Sequence, residues 1–169
     1  MSKPATINIY KQAILAEIDA QTFKRIDGVL AAESDQVKNA VSSDSEEQLD
    51  KHILHRHMEN RDSTVRKKLT FCLVNEEDDL SVTNLLEMDS PIFEYKLNVP
   101  DTCDKQRLKV IAKKIHNYIV QGSLHDWYAT QNMKGNVSAA ELDDLLTEIV
   151  CMLRSSYVKR PLQPFGPRN

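Results

Sequence analysis

Leu108, Ile111, Ala112, Ile115, Tyr118, Ile119 and Gly122 recur at the three-four spacing of a single helical face, and Val120, Leu124 and Trp127 begin a second stripe beside it. A helix that turns apolar on more than one face cannot lie on a surface. It must be surrounded, so this stretch predicts a long central helix against which the rest of the chain packs. Pro100 closes the segment before it, and Asp101 or Thr102 is the expected N-cap. Downstream, Met133-Lys-Gly135-Asn136 is suited to reverse the chain, because glycine readily takes the left-handed conformation that follows a helix end. Ser138 and Glu141 then stand at the S-x-x-E spacing of a capping box, ahead of Leu142, Leu145, Leu146, Ile149 and Leu153 on one face. The two helices are expected to form an antiparallel hairpin.

Ahead of that hairpin, Phe93, Tyr95, Leu97 and Val99 alternate with Glu94, Lys96 and Asn98, the period of two that marks a half-buried strand. Its expected partner is Leu80 to Met88, which gives a small β-hairpin around residues 80–99. Near the N-terminus, Ile7 and Ile9 begin a short extended entry. Tyr10, Ala13, Ile14, Glu17 and Ile18 then form a helical stripe, which Phe23 and Ile26 continue towards Gly28. Ala32 to Asp50 is rich in Ser, Asp and Glu and reads as a solvated connection, within which Ser43 and Glu46 open another helix. That helix carries Leu49, Ile53, Leu54, Met58, Val65 and Leu69, but Lys, Arg and His occupy so much of its surface that its buried face is thin. Asn75 to Ser90 is acidic, without Lys or Arg, and reads as a solvated loop lacking the glycine of a calcium-binding loop.

The fold class that follows is mainly α: a helical bundle of three to four helices, with a long central helix in a C-terminal helical hairpin and a small β-hairpin. A chain of 169 residues suits one domain, expected over 1–158. Residues 159–169 are basic and punctuated by Pro161, Pro164 and Pro167, which prevents helix and favours an extended arm. An arm already extended loses less entropy on docking, so Tyr157, Lys159, Arg160, Pro161, Pro164 and Phe165 are the candidate partner-binding residues, with Phe165 as apolar anchor.

Charge and composition narrow the function classes. A net charge of −3 argues against global attraction to nucleic acid or an anionic membrane. No apolar run approaches a bilayer span, and the N-terminus shows no signal-peptide core. Cys72, Cys103 and Cys151 are isolated, which suggests a reducing compartment; Cys72 and Cys151 sit in apolar runs and read as core. His52 and His55 share a helical face, but His57 lies about 140° from His52 and no Cys or Asp completes a metal set. Neither a nucleophile elbow nor a phosphate-cradling glycine loop is present. His125-Asp126-Trp127-Tyr128 looks like a site when read linearly, yet neighbours on a helix point in different directions, and Trp127 and Tyr128 read as packing aromatics. No catalytic residue, cofactor or metal is therefore expected. Two basic stretches, Arg56, Arg61, Arg66, Lys67 and Lys68, then Lys105, Arg107, Lys109, Lys113 and Lys114, keep a nucleic-acid-binding accessory role as the alternative. The same basic residues could instead meet acidic regions of an identical neighbouring subunit.

Taken in order, the start Ile7 to Ile18, the helix opening Ser43 to Leu49, the strand Phe93 to Val99, the segment Trp127-Tyr-Ala-Thr-Gln-Asn132 and the tail Lys159-Arg-Pro161 resemble a family of small virion-morphogenesis proteins from Bacteroidetes prophages. That family is similar to head-tail connector or adaptor proteins of tailed phages. The resemblance implies a non-enzymatic structural protein that forms a homo-oligomeric ring between portal and tail proteins. It would be made in the host cytoplasm and carried in the virion. Ile53, His55 and His57 stand where the family carries aromatics, and the tail Leu162 to Asn169 is longer.

Overall fold

The computed structural model describes residues 2–30, 44–74, 90–130 and 137–157. In chain order it contains β1 (Ser2–Tyr10), α1 (Lys11–Leu30), α2 (Asp44–Leu69), β2 (Ile92–Pro100), α3 (Lys105–Thr130) and α4 (Ala139–Tyr157). The architecture is mainly α with a small two-stranded antiparallel sheet, as the helical periodicities imply.

The strand at 92–100 has a different partner from the one expected. β2 pairs along its whole length with β1, from Ser2 opposite Pro100 to Tyr10 opposite Ile92. Leu80 to Met88 lies outside the described residues, as do Asn75 to Asp89 as a whole. Chain proximity favours a local hairpin, but β1 offers the better complement. Ile7 and Ile9 face Tyr95 and Phe93 on the buried side, and all four side chains are in the core. On the opposite edge of β2, Val74 N donates to Lys96 O at 2.9 Å and Asn98 N donates to Cys72 O at 2.7 Å, so residues 72–74 flank the centre of the strand.

α3 is the central helix. It packs against α1, α2, α4 and β1, and buries Ile111, Ile115, Tyr118, Ile119, Val120, Leu124 and Tyr128. Its N-cap is Asp104, whose Oδ1 accepts from Arg107 N at 2.7 Å, and not Asp101 or Thr102. Thr102 has a different task, donating its hydroxyl to Ser156 O at 2.8 Å. The capping box at the start of α4 forms: Ser138 N donates to Glu141 Oε2 at 2.7 Å, and Glu141 N donates to Ser138 Oγ at 3.3 Å. Leu142, Leu146, Ile149 and Leu153 are buried behind it, while Leu145 packs at the margin. Lys114 meets Glu148 at 2.7 Å and Arg107 reaches Met152 O at 2.7 Å, so the start of α3 lies beside the end of α4 in an antiparallel pair.

Cys72 and Cys103 are buried, but Cys151 is exposed, because it falls between the apolar positions of α4 and not on them. The reversal at Met133 to Asn136, the capping pair at Ser43 and Glu46, and the side chains of Phe23 and Ile26 lie outside the described set. No described helix is long and apolar enough to cross a membrane.

Candidate functional site

Of the six candidate docking residues, Tyr157 is described, and Lys159, Arg160, Pro161, Pro164 and Phe165 lie outside the described residues. Tyr157 is the last residue of α4, and its surroundings fix the point from which the chain continues. Its hydroxyl donates to Asn98 O on β2, and its ring stands edge-on to Phe71 at 6.1 Å. The guanidinium of Arg154 lies 5.2 Å from the Phe71 ring centroid. Burial raises the Tyr157 phenol pKa, and the nearby Cys72 and Cys103 thiols add to the effect, so the phenol remains a donor at neutral pH.

The last carbonyls of α4 would be orphans in an isolated helix. Here Arg107 donates to Met152 O, and also to Ser155 Oγ, while Thr102 donates to Ser156 O. A cation and a hydroxyl at the negative end of the helix dipole clamp this terminus. Beside it, Phe71 and Tyr157 remain 41% and 40% exposed, and Val74, three residues on from Phe71, is 43% exposed. Sequence reading missed Phe71 and Val74. The signal was the apolar run Phe71-Cys-Leu-Val74, which continues past the end of a helix with a thin apolar face.

A second concentration of polar side chains lies along α2. Arg61 grips Asp126 of α3 with two bonds, Nε to Oδ2 at 2.8 Å and the other through Nη2, and its Nη1 lies 3.5 Å from Tyr118 Oη. Burial opposes both charges, but the mutual hydrogen bonds outweigh it, leaving Arg61 above and Asp126 below their ordinary pKa values. Gly122 makes room for this crossing, since a Cβ there would stand 2.7 Å from Arg61 Cδ and 2.8 Å from Nε. The next residue of α2, buried Asp62, accepts from the hydroxyl of fully buried Tyr95 and from Arg66 Nε at 2.6 Å. Burial first, and then the Asp62 charge, push the Tyr95 pKa up, so it donates throughout the physiological range. Lys11 completes the row by meeting Glu59 at 2.6 Å, with its ammonium 4.7 Å from the Phe93 ring centroid.

These charges brace helices. Each described acid in the row has a basic or phenolic partner from another element or from one turn away. Beside β1 and α3, Tyr10, Ala13, Glu17, Ala112, Lys113 and His116 line an open groove of about 390 Å³, in which His116 Nε2 meets Glu17 Oε2 at 2.7 Å. That pair ties α1 to α3. Burial pushes the Cys72 thiol up to about 11, so it stays protonated at neutral pH and is a poor nucleophile. Among the described residues no group of three or more His, Cys, Asp or Glu is placed to hold a metal ion. His52 is exposed, and His55 and His57 are half-buried against the body.

The basic stretches divide. Arg61, Arg66, Arg107 and Lys114 are drawn into internal pairs, while Lys105, Lys109 and Lys113 form an exposed row along α3. In the segment Trp127 to Asn132, Tyr128 is buried and Trp127 packs edge-on against it at 5.2 Å, with Gln131 and Asn132 outside the described residues. No family model, curated protein or solved structure matches the chain.

Proposed function

We propose that this chain is a non-enzymatic structural subunit, connector- or adaptor-like in a phage virion, that assembles into a ring of copies and engages its neighbour, or portal or tail proteins, through the C-terminal end of α4. The observation that carries the reading is the exposed Phe71–Tyr157 pair, with exposed Val74 three residues on from Phe71, beside a helix terminus clamped by Arg107 and Thr102. A rigid root lowers the entropy cost of presenting a docking arm, and an apolar platform beside it supplies contact area. The titratable groups of α2 support the same reading, because they are spent on holding helices together.

The exposed row Lys105, Lys109 and Lys113 favours a second reading, contact with phosphates of nucleic acid. Sedimentation of the full chain over a wide concentration range, with and without residues 159–169, separates the two. The structural reading expects a mass many times that of one subunit, rising with concentration and reduced by the deletion. A single subunit at every concentration, combined with nucleic-acid affinity that falls steeply with salt, overturns it.

A further inference from the structure

The inward stripe of α2 is Met58, Asp62, Val65 and Leu69, so a carboxylate interrupts an already short apolar seam. Two part-buried pairs stand just past the midpoint of α2: Lys11 with Glu59 towards the sheet, and Arg61 with Asp126 towards α3. A histidine precedes each pair by one turn of α2, His55 before Glu59 and His57 before Arg61. His55 faces Lys11 at the start of α1, together with Glu59 and His52 of its own helix. His57 faces Asp126 of α3, together with Arg61 and Arg56 of α2, and His125 Nδ1 approaches the same Asp126 at 3.3 Å. The Nε2 atom of His57 is buried and has no hydrogen-bond partner among the described residues.

We infer that the first two thirds of α2, through Arg61, is an acid-released arm: below neutral pH, protonation of His55 and His57 frees it from α3 and the sheet while the α3–α4 body stays folded. A proton on His57 places a second cation beside Arg61 and Arg56, with a single carboxylate, Asp126, already engaged by two bonds. A proton on His55 does the same beside Lys11, whose partner Glu59 is also taken. Burial is the largest influence and lowers both pKa values from 6.5; Lys11 lowers that of His55 further against the pull of Glu59, while at His57 the Asp126 charge raises the pKa and Arg61 and Arg56 oppose it. The released arm binds more protons than the docked one. Attachment is therefore complete above 6.5 and is lost as pH falls below that value. The seam between α1 and α3 has a pair of its own, His116 Nε2 with Glu17 Oε2 at 2.7 Å.

The test uses the full chain with spin labels at exposed Cys151 and at Asn60→Cys on the outer face of α2; Cys72 and Cys103 are buried and remain unlabelled. Electron-electron distances are compared at about pH 7.5 and about pH 5.5, alongside a body pair, Cys151 with Lys109→Cys. The expected result is a second, longer distance for the α2 pair alone at the lower pH. Its population should rise several-fold, with a ceiling of about tenfold per histidine. His55→Gln with His57→Gln abolishes the acid population, and each single change removes about half of it, so failure of the double variant to fold leaves the singles as the test. An α2 pair unchanged by pH overturns the inference. So does an acid population that survives both substitutions, or a body pair that broadens together with the α2 pair.

Discussion

Two helices pack on α3 by opposite chemistry. α4 presents Leu142, Leu146, Ile149 and Leu153, an uninterrupted apolar face opened by a local capping box. α2 presents Met58, Val65 and Leu69 with Asp62 among them, and makes up the difference with Arg61–Asp126, Asp62–Tyr95 and Lys11–Glu59. Apolar burial is non-directional and tolerates some slippage. Part-buried charge pairs add little net stability but are directional and costly to break, so the seam of α2 fixes position more than it adds strength.

The largest expected effect lies on the apolar side. Ile149→Ala, at a fully buried position, should cost about 3–4 kcal/mol of unfolding free energy in urea titrations. Asp62→Ala should follow at about 2–3 kcal/mol, because it strands the buried Tyr95 hydroxyl. Combining Asp62→Leu with Tyr95→Phe should recover most of that loss, since both polar partners then disappear. If the pair is as costly as Asp62→Ala, position 62 behaves like the apolar seam and the contrast collapses.

Gly122→Ala sharpens the comparison. The new methyl displaces Arg61 from Asp126, at about 1–2 kcal/mol, and this cost should vanish in an Arg61→Ala background, a coupling read by a double-mutant cycle. Smallest is Ser138→Ala, expected to cost about 1 kcal/mol through the lost cap of α4 and to leave α2 untouched in hydrogen exchange.

The same contrast explains what could be read from the sequence. α4 was legible to its cap, because Ser138, Glu141 and the leucine spacing are local. The central position of α3 was legible from its double stripe. The attachment of α2 was not, since Arg61 finds Asp126 and Lys11 finds Glu59 across long stretches of chain, and nothing near either residue names its partner. The pairing of β2 with β1 was hidden for the same reason: alternation identifies a strand but does not identify its neighbour. At the end of α4, Tyr157 lies against Phe71 and β2. Phe71 meets it across a long stretch of chain, beside residues 72–74, which fold back along β2.

The most direct test of the proposed function is the solution mass of Phe71→Asp beside the unaltered chain at matched concentrations. Phe71 is already exposed, so the substitution should leave circular dichroism and thermal unfolding nearly unchanged. The expected result is assembly in the unaltered chain and single subunits in the variant. Equal masses for the two, whether both assembled or both single, would contradict a docking face centred on Phe71 and Tyr157.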